Sequence, residues 1–230
     1  ISGQSLTGTR DLFISKVSNN GDFSTSYQLG SSGHSSAILD IQIDSSNNIY
    51  AVGNTTGTLE GDSGGMMDAF FIKLDSNLNS SWINQISSSD VSGSTSDNES
   101  CVRLSLDSNN NPLALCYTDG SLVDVNSNNV RQPVLVKTDS SGVFTFIKHF
   151  GDNFNNNPLV NSISSGNIIQ DDSILLGNGL SIGADGTIYF GSYSSNGFAS
   201  NHNNPKLSGS DNDIWLIKLK ESGGTLSPLP

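Results

Sequence analysis

The stretch Asp68-Ala69-Phe70-Phe71-Ile72-Lys73-Leu74 decides how this chain folds. Phe70, Ile72 and Leu74 fall on one face of a strand, and Ala69 and Phe71 on the other, so neither face is left for water. Three further stretches align with it on a lysine: Asp11–Lys16, Gln132–Lys137 and Asp213–Lys218. Five residues past each lysine stand Gly21, Leu78, Gly142 and Gly223. Further along, Leu29, Ile86 and Phe150 follow the first three copies in register. The reading is a strand, a turn and a strand, used four times.

A second hairpin alternates with the first. It runs Ile41–Gly53, Leu104–Cys116 and Leu180–Gly191, with Asp/Ser/Asn/Gly turns of the kind that supply left-handed residues. Ile1-Ser2-Gly3 reads as the tail of a further copy. Two hairpins make a four-stranded antiparallel unit, which is the signature of a β-propeller blade. A sandwich strand would alternate more cleanly between apolar and polar. The expected fold is therefore all-β, a β-propeller of four-stranded antiparallel blades with about four blades present. Residues 1–30 form a partial first blade, 31–87 the second, 88–151 the third and 152–230 the fourth. By this count the ring is incomplete. Either further blades complete it, or two copies of the chain associate.

Composition agrees. Ser and Asn make up about 30% of the 230 residues, and 24 are Gly. These residues form helices poorly, which argues against a bundle or an α/β enzyme. Recurrent apolar runs argue against disorder. The net charge of −12 makes nucleic acid an unfavourable partner, because ten Lys and Arg face 22 acids. No apolar run is long enough for a membrane-spanning helix.

The segment Asp-Ala-Phe-Phe-Ile-Lys-Leu at 68–74, together with Asp-Ser-Ser-Asn-Asn-Ile-Tyr-Ala-Val-Gly at 44–53, resembles the bacterial SBBP (seven-bladed β-propeller) repeat. The likeness extends over nearly all of the chain outside the loops, and the second unit departs from it at Cys116 and Pro133. It implies a propeller on secreted or surface-anchored bacterial proteins, and it carries no catalytic residues across.

Gly61-Asp62-Ser63-Gly64-Gly65 matches the nucleophile string of trypsin-like proteases. None of His34, His149 and His202 sits in the matching histidine context, so a chance match is the reading. Sialidase-like chemistry would need an arginine cluster, and only Arg10, Arg103 and Arg131 exist. Lys16, Lys73, Lys137 and Lys218 read as strand-end residues with buried stems and exposed heads. Asp11, Asp68 and Asp213 read as caps at strand starts. Asp171-Asp172 and Asp211-Asn212-Asp213 offer oxygen ligands for calcium, a minor alternative to having no metal or cofactor at all. Cys101 and Cys116 lie on the two strands of one hairpin. They read equally as a disulfide or as two buried thiols, because a one-residue bulge would turn them to opposite faces.

Turns within hairpins fall at one end of every blade, and all other connections fall at the opposite end. The hairpin turns are uniform and the other connections vary, so the variable end is the expected recognition face. Asp152, Asp171, Asp172, Tyr193, Phe198 and His202 are its candidate ligand-binding residues. The functional expectation is a non-enzymatic binding module, extracellular or on the bacterial surface, with a protein or glycan ligand. The alternatives are a structural subunit that assembles through blade edges and a carbohydrate-active enzyme of the sialidase-like propeller type.

Overall fold

The computed structural model describes residues 5–61, 66–88, 97–120, 122, 132–149, 179–194, 213–223 and 225–228. The candidates Ser63, Arg131, Asp152, Asp171, Asp172, Phe198, His202 and Asp211 lie outside them. Among the described residues there are strands and turns but no helix.

The first sheet pairs β1 (Leu12–Val17) with β2 (Phe23–Leu29). The second contains β3 (Ser36–Ile43), β4 (Ile49–Thr55), β5 (Asp68–Leu74) and β6 (Ser80–Ile86). The third contains β7 (Glu99–Leu106), β8 (Pro112–Thr118), β9 (Gln132–Thr138) and β10 (Phe144–His149). The fourth contains β11 (Gly179–Ile182), β12 (Thr187–Ser194), β13 (Asp213–Ser222) and β14 (Thr225–Pro228). Every pairing is antiparallel and joins strands consecutive in the chain.

The sheets stack in chain order, and the two-sided apolar pattern explains why. Phe70, Ile72 and Leu74 pack with Leu12 and Ile14 between the first and second sheets. Ala69 and Phe71 point the other way and pack with Ala114, Cys116, Val134 and Val136 of the third sheet. Leu113, Leu115, Tyr117 and Leu135 leave the opposite face of that sheet to meet Ile188, Phe190 and Leu219 of the fourth. Each fully covered Phe, Leu or Ile contributes about 1.5–3 kcal/mol, so the cohesion lies between sheets. The result is a propeller-like stack of antiparallel sheets.

The repeat also fixes how neighbouring sheets meet. β7 lies against both β3 and β11, so the first strands of successive sheets stand side by side. The Leu104 amide donates to Asp40 Oδ2 at 2.8 Å across that contact. Arg10 bridges Ser35, and Met67 bridges Asn98, each in parallel and at the same repeat position.

The hairpin turns share one design. Asp44 Oδ1 accepts the amides of Ser46 and Asn48, and Asp75, Asp107 and Asp139 do the same in their own turns. Ser18 replaces the aspartate in the first sheet. The fourth residue of each is left-handed, as it is in the Gly183–Thr187 turn of the fourth sheet, which has no aspartate at its first position: Gly21, Asn47, Leu78, Asn110, Gly142 and Gly186 all have positive φ. Leu78 is the exception in chemistry. Left-handed backbone costs a Cβ-bearing residue about 1–2 kcal/mol. Leu78 offsets this through burial, at 5% exposed, in the core between the first two sheets.

Candidate functional site

At the turn end, lysines tie each sheet to the next. Lys16 Nζ donates to the Ser76 carbonyl at 2.7 Å, and Lys73 Nζ to the Ser140 carbonyl at 2.8 Å. Both acceptors sit one residue past the aspartate that organises the receiving turn. Lys73 also lies over the Tyr50 ring, 5.0 Å from its centroid. Trp82 Nε1 and Asn84 Nδ2 add bonds to the Ser140 and Gly142 carbonyls of the same turn.

Lys137 departs from the expected exposed head. Its side chain is 9% exposed, and Nζ pairs with Asp107 Oδ2 at 2.8 Å and with Glu221 Oε2. The head is buried because the fourth sheet brings a carboxylate, not a carbonyl, to the latch. Burial pulls the Lys137 pKa down, but Asp107 and Glu221 outweigh it and hold the ammonium above its ordinary value. Burial likewise opposes ionisation of Asp107, and Lys137 with the turn donors still brings it below the usual carboxylate range. Beside this triad lies a cavity of about 330 Å³ between the third and fourth sheets, lined by Asp107, Asn109, Lys137, Asp185, Lys220 and Glu221 among others. It is polar, and Lys220 closes one side by pairing with Asp185 at 3.8 Å.

At the opposite end, Thr55 and Thr118 occupy equivalent positions and fold the chain back in the same way. The amides of Gly57 and Gly120 donate to their hydroxyls at 3.2 and 2.9 Å. A side chain on Gly57 would strike His34, and one on Gly120 would strike Ser88. Ser36 bonds Thr55, but the equivalent partner of Thr118 is Glu99. Glu99 is 1% exposed and accepts from Thr118 Oγ1 at 2.7 Å and from the Ser88 amide at 3.1 Å. Burial, with a smaller contribution from Asp68, pushes its pKa up to about 7. At this exposure the carboxyl is closed off from solvent, and that desolvation is what disfavours its charge.

The remaining sequence candidates resolve unevenly. Asp11 accepts the amides of Thr7 and Gly8, as a strand-start cap should, and Gln28 adds a third bond. Asp68 is held by Gln85 at 2.5 Å in the same arrangement. Tyr193 stands on β12 opposite Ile214, toward the loop end. Cys101 and Cys116 face each other directly across β7 and β8 and form a disulfide. The bulge falls between Cys101 and Arg103, on the turn side of the pair, and contrary to the expectation it does not separate the cysteines: it shifts the register by one residue so that Cys101 stands opposite Cys116 instead of Tyr117. Among the described residues, no three His, Cys, Asp or Glu side chains gather as a metal site. Sequence reading passed over Glu99 and the Lys137–Asp107–Glu221 triad. The only signal for Glu99 was its alignment with Ser36.

The fold and these contacts define an all-β repeat protein whose sheets are stacked and latched in series. No protein-family model matches the chain, and no curated protein does. Among solved structures it is similar to one described as a thermostable family-43 glycoside hydrolase. That similarity has 13% sequence identity and a TM-score of 0.43 over 98% of this chain and 75% of the other. Likeness of that extent transfers neither activity nor site residues.

Proposed function

We propose that the chain is a non-enzymatic propeller module that acts outside the cell by binding, through the end of the stack that carries the variable connections. The observation that carries this reading is the contrast between the two ends. At the hairpin end, the repeated aspartates are spent on their own turns and Lys16, Lys73 and Lys137 on the next sheet. At the other end, the connections 30–35, 56–67, 87–98 and 119–131 differ in length and sequence while the strands they join keep register. Rigid strands beneath divergent loops are how recognition surfaces are commonly built. The Cys101–Cys116 disulfide suits an oxidising compartment. The SBBP resemblance points to the same bacterial surface setting.

The test is a glycan array and a panel of immobilised extracellular-matrix proteins, probed with the chain and with a variant whose 152–178 connection is replaced by a short Gly-Ser turn. The expected result is retention on at least one surface, lost in the shortened variant while its melting temperature is kept. Turnover of a fluorogenic sialoside, or equal retention by both proteins, would overturn the reading.

A further inference from the structure

The latch lysines of the second and third sheets meet different neighbours. In the second sheet, Lys73 stands between Tyr50 and Trp82 on the adjoining strands. The Tyr50 ring lies under its ammonium, and Trp82 meets that ring edge-on and donates to the Ser140 carbonyl of the next sheet. Two aromatic rings thus occupy the space beside the lysine. In the third sheet, the same neighbours of Lys137 are Leu113 and Phe146. Both are smaller than the residues they replace, and neither has a polar edge to offer the following turn. The cavity of about 330 Å³ opens beside this lysine, with Ile182 and Ile188 as its apolar wall.

The rest of the wall carries charges of both signs, the carboxylates of Asp107, Asp185 and Glu221 and the ammoniums of Lys137 and Lys220. An entering cation meets two ammoniums and an entering anion meets three carboxylates, so either is repelled at close range. A hydroxyl both donates and accepts, and it can bond a carboxylate and an ammonium at once. Bonding capacity is available for it. Among the described residues, the Asn109 side chain, Asn111 Oδ1 and Glu221 Oε1 take part in no hydrogen bond, and Lys137 uses two of its three hydrogens. Small-molecule sites span about 300–1,000 Å³, so a cavity at the lower end takes one small ring and not a chain.

We propose that the cavity between the third and fourth sheets binds one neutral, polyhydroxylated ring of monosaccharide size, either free or as the terminal unit of a glycan. Its hydroxyls accept from Lys137 and Asn109 and donate to Glu221 and Asn111, and its C–H face rests on Ile182 and Ile188. The site lies at the hairpin end, and so is separate from the recognition face at the variable connections.

The test follows the amide resonances of the isotopically labelled chain as glucose, galactose, mannose, xylose and arabinose are added in turn, with the amino-sugar and uronic-acid counterparts of each hexose. Saturable shifts are expected with at least one neutral sugar, centred on Asn109, Asn111, Gly186 and Lys220, with a millimolar dissociation constant and weaker binding of the charged counterparts. A disaccharide ending in that sugar separates the two sources: equal binding assigns the site to a glycan terminus, and weaker binding to the free sugar. Asn109→Trp puts a large ring on the rim, at an exposed side chain with no bond to lose, and is expected to abolish the shifts while the melting temperature is kept. Absence of saturable shifts with every neutral sugar, shifts centred elsewhere, tighter binding of a charged counterpart, or unchanged binding by folded Asn109→Trp overturns the proposal. Should that variant fail to fold, the shift map of the native chain decides by itself. Millimolar binding does not hold a chain on a washed array, and Asn109→Trp leaves the 152–178 connection unaltered, so this proposal and the recognition reading stand or fall separately.

Discussion

Replacing Glu99 with glutamine measures what a buried carboxyl does to this fold. Burial moves its pKa from 4.5 to about 7, so between those values the folded chain holds a proton that the unfolded chain releases. Stability from this group is therefore complete below 4.5 and is lost as the pH rises toward and through 7. At ~1.4 kcal/mol per pH unit, the displacement costs the native protein about 3 kcal/mol in mildly alkaline solution. Glutamine keeps an acceptor for the Thr118 hydroxyl but turns an amide donor toward the Ser88 N–H, which costs about 1 kcal/mol. The variant is then expected to be more stable than the native chain by about 2 kcal/mol at about pH 8 and less stable by about 1 kcal/mol at about pH 5. Urea denaturation followed by tryptophan fluorescence across that range gives both curves. The difference between them isolates this residue from every other titrating group. Parallel curves, or a native chain that gains on the variant as pH rises, would refute the reasoning.

Four other outcomes follow from the contacts. Lys137→Met leaves Asp107 and Glu221 facing each other without their cation and is expected to cost about 2–4 kcal/mol, against about 1 for Lys73→Met, in the same denaturation assay. Gly142→Ala meets both a left-handed backbone and the Trp82 ring 2.9 Å from the new Cβ, while Gly21→Ala meets the backbone cost alone. Melting temperatures should fall in both, and further in Gly142→Ala, by more than the ~1 kcal/mol expected at Gly21. Removing the disulfide with Cys101→Ala and Cys116→Ala frees a loop whose ends are 15 residues apart, a loss of about 3 kcal/mol in the chain-entropy account. Acid acts on another set. Asp75 and Asp139 are held below the usual carboxylate range, first by the Asn79 and Ser141 side chains, so their contribution is present above 3.8 and is lost as pH falls through their lowered values. Asp75→Ala should accordingly flatten the acid limb of a pH melt.

The sheets were legible because their signal is repeated and local. Phe70 and Phe71, adjacent and both apolar, require a strand covered on two sides, and the lysine register then places every other copy. Gly21 and Gly142 likewise announce left-handed turn positions. Leu78 does not, since nothing in a leucine signals positive φ; only its burial explains it. The cysteine pair was undecidable from spacing because a single bulge between Cys101 and the turn decides whether Cys101 meets Cys116 or Tyr117. Glu99 was hidden for a different reason. Its burial depends on Thr118 and Ser88, which meet it only after β7 and β8 pair and Ser88, at the end of the preceding sheet, comes beside them. Lys137 followed the pattern of Lys16 and Lys73 in sequence, and its character changed because Glu221 came from the next sheet. The candidates on the loop face stay as the sequence left them, since most lie outside the described residues.

Among the described residues the first sheet has two strands; Leu12, Ile14, Tyr27 and Leu29 pack one face against the second sheet, while Phe13, Val17 and Phe23 are exposed. In a chain built from nearest-neighbour contacts, each unit is only as protected as the neighbours that hold it. Amide hydrogens of β1 and β2 should therefore exchange with solvent long before those of β5 and β8, which are held between neighbours on both sides. Opening then begins at the outer sheets and moves inward, and a protease would leave the second and third sheets as the resistant remnant.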